Sequence, residues 1–376
     1  MKKNFAQAMR LATEAVRARN LTEAVALIQQ AQAGNKDVGD AGAEPISTRE
    51  AAKGLSLPLL DARPRKALGE VVRLLQEGRR LARPPGAPTR LPSLAEGAQF
   101  LARSLNCSAG TRGYRLYIPA CPTNEIRGLV VMLHGCNQTP EDFAVGTGMN
   151  AVAEKNRLLV AYPGQVHAAN ISGCWNWFDP AHQTRDAGEP AIIAAITRVI
   201  ADGYGIGPER TFVAGLSAGG AMAAVMAETY PDLYAAVGIH SGLAYGAASD
   251  VASAFAAMRG LGHPPGRRTG SRPRRMIVFH GSADVTVNPS NAGDIVASAR
   301  SALPGGVLRM THEPPANGRS AKRSTIVMPD GTVALELWMI DGAGHAWSGG
   351  DPAGSYTDAA GPKASVEMVR FFLKDD

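Results

Sequence analysis

Six short, nearly continuous apolar runs recur along the chain: GLVVMLHG at 128–135, RLLVAYPG at 157–164, RTFVAGLS at 210–217, AAVGIHSG at 235–242, RRMIVFHG at 274–281 and ALELWMID at 334–341. A strand with one wet face alternates apolar and polar residues. A run that is apolar throughout is what a strand covered on both faces needs. Between the runs, Phe143 to Lys155, Glu189 to Tyr204, Ala218 to Tyr230 and Asn291 to Ser301 have helical length and spacing. The alternation predicts a doubly wound, mostly parallel α/β sheet. Ahead of it, period-two patterns at Gln99 to Asn106 and Arg112 to Ile118, separated by Ser108-Ala109-Gly110, predict a β-hairpin. No internal repeat is evident.

The sheet-forming part begins near Glu96, so residues 96–376 are read as one domain. Before it, residues 5–18 and 21–32 carry apolar stripes at helical spacing with a turn at Asn20, which predicts a helical hairpin over 1–34. Residues 35–95 are rich in Gly, Ala, Pro and charge and read as a linker-like arm with one short helix at 66–82. The chain's net charge of +6 is concentrated here: residues 1–95 hold 16 Lys and Arg against 9 Asp and Glu, and the remainder is close to neutral. A basic arm without interleaved aromatics is not a nucleic-acid binder's pattern. Its stripes suit polymer-granule attachment or self-association better. Polar residues interrupt the first twenty positions, so no secretory signal is expected, nor does an apolar stretch reach membrane-spanning length. The expected location is the cytoplasm. Four cysteines, at 107, 121, 136 and 174, are too few for a disulfide scaffold and lack the paired spacing of a zinc site; no metal or cofactor is expected.

Gly215-Leu216-Ser217-Ala218-Gly219 fits G-x-S-x-G where an apolar run gives way to a helical stretch. In that context the serine occupies a strained strand-to-helix turn that lifts its hydroxyl clear of the sheet, and the helix beginning at Ala218 turns N–H groups toward developing negative charge. His134-Gly135-Cys136-Asn137-Gln138 follows the first long apolar run, where a second backbone donor is needed. The expected oxyanion donors are the N–H groups of Cys136 and Ala218. His134 is read as a brace for this turn rather than a base.

A base must follow Ser217 at some distance. His240 comes too early, and His345, in the glycine loop Asp341-Gly342-Ala343-Gly344-His345 after the last run, is favoured over His263, His280 and His312. The orienting carboxylate is assigned to Asp284, just past the run ending at Gly281, with Asp341 as its rival.

With these residues in view, LHGCNQ at 133–138, GCWNWF at 173–178, GLSAGG at 215–220, HGSAD at 280–284, and GHAWSGG at 344–350 with SYTD at 355–358 together resemble the catalytic domain of poly(3-hydroxybutyrate) depolymerases and related esterases, over roughly residues 96–374. The resemblance implies an α/β-hydrolase fold and the triad Ser217, Asp284 and His345, with Cys136 at the oxyanion loop. It further implies a disulfide between Cys136 and Cys174. Asn137, Gln138, Trp175, Trp177 and Trp347 are the expected substrate-binding residues, the tryptophans walling an apolar cleft. Segment 243–273 is too short and too rich in Gly and Pro for a large lid. The expected activity is hydrolysis of short-chain hydroxyalkanoate esters or their polymer. A feruloyl or acetylxylan esterase and a granule-binding protein are the competing readings.

Overall fold

The structure, a computed structural model, describes residues 90–262, 274–315 and 318–374. The expected hairpin at 1–34, nearly all of the arm at 35–95, and His263 with most of the arginine cluster at 267–275 lie outside the described residues. Arg275 is described, and its role is structural: it donates to the carbonyls of Phe371 (2.6 Å) and Val333 (3.2 Å), with its guanidinium over the Phe371 ring.

Among the described residues, ten strands form one sheet. The hairpin β1 (Gln99–Cys107) and β2 (Gly110–Ile118) opens the fold, with Cys107 directly opposite Gly110. There follow β3 (Gly128–Leu133), α1 (Pro140–Thr147), α2 (Met149–Asn156), β4 (Leu158–Pro163), α3 (Gly188–Tyr204), β5 (Thr211–Leu216), α4 (Ala218–Thr229), β6 (Ala236–His240), α5 (Val251–Met258), β7 (Arg275–Gly281) and α6 (Ser290–Arg300). The chain ends in β8 (Val307–Glu313), β9 (Ala321–Val327), β10 (Val333–Ile340), the two-residue pair β11 (Trp347–Ser348) and β12 (Thr357–Asp358), and α7 (Ala364–Leu373). The order across the sheet is β1-β2-β4-β3-β5-β6-β7-β10-β9-β8.

From β4 to β10 the neighbouring strands are parallel; antiparallel pairs flank them on both sides. All residues of β3, β4, β5 and β6 are buried, as their unbroken apolar sequence requires, because apolar clusters cover both faces. The helix expected over 143–155 is two helices, since Gly148 takes a left-handed φ of 60° and ends the first one. Segment 243–273 carries the eight-residue helix α5. No helix among the described residues is long and apolar enough to cross a membrane.

Candidate active site

The parallel strands all point their C-terminal ends at one rim, so the loops after β3, β5, β6, β7 and β10 gather there. Ser217 is the first of these features. It sits between β5 and α4 with φ 57° and ψ −120°, a conformation that a side chain larger than hydrogen rarely adopts. The flanking glycines make the turn possible. A Cβ on Gly215 would lie 2.3 Å from the Gly219 carbonyl oxygen, and one on Gly219 would lie 2.0 Å from that of Leu133. The Ser217 N–H donates to the His240 carbonyl at 2.9 Å, which ties the turn to β6.

Asp284 and His345 arrive from separate strands and meet. His345 Nδ1 is 2.7 Å from Asp284 Oδ2, and both residues are buried. The other carboxylate oxygen accepts the N–H groups of Thr286 and Val287, each at 2.9 Å. Burial pushes the Asp284 carboxyl up, but the charge and hydrogen bond of His345, the nearby His280 and the Val287 N–H outweigh it and hold the group below the usual aspartate range. With the proton of Nδ1 committed to a carboxylate, the free Nε2 of His345 is the basic nitrogen. Main-chain bonds stitch the two loops together: Ser282 N–H to Ile340 O (2.9 Å), Ala283 N–H to Ala343 O (2.9 Å) and Gly342 N–H to Ser282 Oγ (2.8 Å). The rival acid, Asp341, faces elsewhere and accepts the Ser320 hydroxyl at 2.6 Å.

Neither Ser217 Oγ nor His345 Nε2 makes a hydrogen bond among the described residues, so the structure joins Asp284 to His345 but not His345 to Ser217. What connects their supports is His240, which sequence reading set aside. Its carbonyl holds Ser217, its Nε2 accepts the Ser348 N–H at 3.0 Å, and its ring stacks on Trp347 at 5.1 Å, just beyond His345. Burial drives its pKa down to about 3, so it stays neutral. A histidine inside the otherwise apolar run at 235–242 is the signal that could have found it.

On the other side of the rim, Cys136 and Cys174 are joined by a disulfide, and Asn137 N–H donates to Ser172 O at 2.8 Å. Two ties therefore fasten the loop after β3 to the loop before Trp175. Neither the Cys136 N–H nor the Ala218 N–H donates a main-chain hydrogen bond among the described residues. His134 is buried with Nδ1 on Gly135 O (2.8 Å) and Nε2 accepting Gln165 N–H (3.1 Å). Both nitrogens are thus engaged in bracing the turn. Burial lowers its pKa and keeps it neutral.

Four expected substrate contacts need correction. Gln138 is buried, its Oε1 accepting Gly135 N–H (2.9 Å) and its Nε2 donating to Asp142 and Ser355, so its amide is fully spent on holding the loop. Trp175, Trp177 and Trp347 are 0%, 5% and 1% exposed and belong to the core. Trp175 Nε1 donates to His134 O (3.1 Å) and Trp347 Nε1 to Ser365 Oγ (3.1 Å); Trp177 packs edge-on against Phe178. They shape the rim from beneath instead of walling a cleft. Asn137 alone of the set is exposed, with φ 60° and a side-chain hydrogen bond to Tyr356.

Known proteins share this arrangement of sequence. The chain is 36% identical over 180 residues to a poly(3-hydroxyalkanoate) depolymerase C of Paucimonas lemoignei, covering 45% of this chain and 43% of that protein. It is likewise 36% identical over 180 residues to a feruloyl esterase B of Neurospora crassa (43% and 60% covered), and 32% identical over 204 residues to an acetylxylan esterase A of Talaromyces purpureogenus (49% and 51%). The chain thus spans about half the length of these relatives. A solved acetyl xylan esterase from Aspergillus awamori superposes with a TM-score of 0.51 at 24% identity over 66% of this chain and 93% of that one, and the shared fold is the α/β-hydrolase fold. The family described as Esterase PHB depolymerase matches residues 112–303, slightly more than half of the sequence. The chain belongs to the Esterase PHB depolymerase family.

Proposed function

We propose that this protein is a serine carboxylic ester hydrolase that works through an acyl-enzyme. The observation that carries the reading is the 2.7 Å bond between His345 and Asp284 at the same rim as the strained Ser217. His345 Nε2 takes the Ser217 proton as Oγ attacks the ester carbonyl, and Asp284 holds the imidazole tautomer and stabilises the imidazolium. The N–H groups of Cys136 and Ala218 receive the oxyanion. They are fixed before charge develops, so little reorganisation opposes the step. His345 then gives the proton to the leaving alcohol, and water repeats the sequence on the acyl-serine. A small closing motion or the bound ester itself brings Nε2 to Oγ, since such contacts commonly tighten only in the substrate complex.

Short-chain hydroxyalkanoate esters or poly(3-hydroxybutyrate) are the proposed substrates, in line with the family and the depolymerase relative. The feruloyl and acetylxylan esterase relatives support a second reading, a carbohydrate esterase. A reading of another class is that the chain chiefly attaches to polymer granules through residues 1–95, and self-association is the alternative role for the same residues. Hydrolysis of p-nitrophenyl butyrate tests the chemistry: Ser217→Ala lowers kcat by roughly 10³-fold or more, and a variant with wild-type turnover would refute the assignment. Comparing amorphous polyhydroxybutyrate with methyl ferulate separates the substrate readings.

A further inference from the structure

Asp284 lies between two imidazoles. His345 faces its Oδ2 at 2.7 Å, and His280, next to last in β7, brings Nε2 within 3.5 Å of the same oxygen. The His280 Nε2–H donates to Val287 O at 2.9 Å, while Val287 N–H donates to Asp284 Oδ1 at 2.9 Å. The Val287 residue is therefore clamped at both its carbonyl and its amide. The turn closes on itself, with the carboxylate rotamer as one of its fixed points.

Packing does not explain an imidazole in this place. His280 is fully buried and its Nδ1 has no hydrogen-bond partner. An orphaned buried nitrogen carries a desolvation cost that an apolar side chain of similar volume would not. What the imidazole supplies is one rigid N–H near both a carbonyl and a carboxylate oxygen. Nε2 must bear a proton to meet Val287 O, and burial keeps the ring neutral, which leaves Nδ1 bare.

We propose that His280 is a positioning residue for the Asp284–His345 pair: its Nε2–H closes the turn that aims the carboxylate and lends partial positive charge to the oxygen that His345 uses. The inference rests on the acyl-enzyme reading, in which Asp284 orients the base. Without this N–H, the turn loosens and kcat falls. Oδ2 also becomes more electron-rich, the His345 imidazolium is better stabilised, and the acid limb of kcat/KM moves to higher pH. The titratable groups facing His280 are Asp284, His345 and His240.

His280→Leu and His280→Gln test this, with rates expressed per active site after titration with a fluorophosphonate that labels Ser217. The leucine variant is expected to lose roughly 10- to 100-fold in kcat at unchanged KM, with its acid limb shifted upward. Glutamine, which can still donate to Val287 O, regains most of the loss. A leucine variant with wild-type kcat per site and an unmoved limb overturns the proposal, as does a glutamine variant that falls equally far. Should the leucine variant not fold, 15N NMR of the wild-type imidazoles decides: a neutral His280 with its proton on Nε2 upholds the proposal, and the Nδ1–H tautomer or an imidazolium at neutral pH overturns it. Wild-type enzyme that turns over ester while Ser217 stays unlabelled would instead defeat the acyl-enzyme reading itself.

Discussion

The loop after β3 and the loops after β7 and β10 face the same rim but are fastened differently. On the first, the proposed oxyanion donor is a main-chain N–H in an irregular turn, and a disulfide with a spent Gln138 amide and a spent His134 ring holds that turn. On the second, the groups offered are side chains set a few residues beyond parallel strands, and ladder-like main-chain bonds plus the stacked His240 and Trp347 hold them. The difference shows what each kind of group requires. A side chain leaving a strand end inherits its place from the sheet, whereas a backbone donor in a turn is only as fixed as the turn itself.

The largest expected effect lies on the side-chain half. Asp284→Asn keeps an oxygen for the N–H groups of Thr286 and Val287, which turns the amide nitrogen toward His345 and forces the proton onto Nε2. The kcat on p-nitrophenyl butyrate should fall by roughly 10³- to 10⁴-fold, while the melting temperature moves little. A calorimetric collapse accompanying the lost activity would mean that Asp284 serves mainly the fold.

Cutting the tether on the other half should give a different signature. Replacing Cys136 and Cys174 together by serine opens a loop with a sequence separation of 38 and should cost about 4 kcal/mol of stability by the chain-entropy argument. Slackening one oxyanion donor should also lower kcat by up to roughly 10²-fold, with Ser217 still reactive toward a fluorophosphonate. Full kcat in the folded double variant would show that the backbone donor needs no tether.

Both halves contain buried neutral histidines, and acid probes them together. An unfolded histidine takes up a proton near its ordinary value of 6.5, while burial lowers His134 and His280 and drives His240 to about 3. Below pH 6.5 the unfolded chain therefore binds protons that the native state refuses, so stability falls with pH, by up to about 1.4 kcal/mol per pH unit for each such residue. The His240 share continues down to about pH 3. Asp284, depressed in the fold, adds a loss in the same direction below its unfolded value of 3.8. Denaturant titrations between pH 7 and 5 should show the decline, and His240→Gln should make it shallower. An unchanged slope would place the proton uptake elsewhere.

The smallest effect compares the tryptophans that each half buries. Trp175→Phe and Trp347→Phe each remove one indole hydrogen bond, to His134 O and Ser365 Oγ, and should each cost about 1 kcal/mol for that bond in addition to any packing loss. A raised KM at unchanged kcat in either variant would restore the tryptophans as substrate contacts.

Much of this was legible in the sequence where local pattern and burial agree. The six apolar runs all became strands, since a strand covered on both faces leaves no polar position to confuse the pattern. Strand β8, at the sheet edge, and β9 beside it carry no apolar run: Thr311 to Glu313 and Lys322 to Thr325 are consecutive polar residues, and β8 is exposed along nearly its whole length. Helix α7 was passed over after the last motif, although Met368, Val369, Phe371 and Phe372 form its buried face. In the site, the pairing of Asp284 with His345 followed from chain order and strand ends. The misplacement of Gln138 and the tryptophans has a common cause: adjacency to a motif does not say which way a side chain turns, and these turn inward to satisfy the loops. His240 and His280 are polar groups inside apolar runs: the partners of His240, Ser217 and Ser348, come from distant parts of the chain, whereas those of His280, Asp284 and Val287, lie in the turn just after its own strand.

The most direct test of the account is intact-protein and peptide mass spectrometry after reaction with a fluorophosphonate. One adduct per chain on Ser217, formed in step with the loss of ester turnover and slowed by Asp284→Asn, is the expected result. Turnover that persists in the fully modified enzyme, or inactivation by an adduct on another residue, would contradict it.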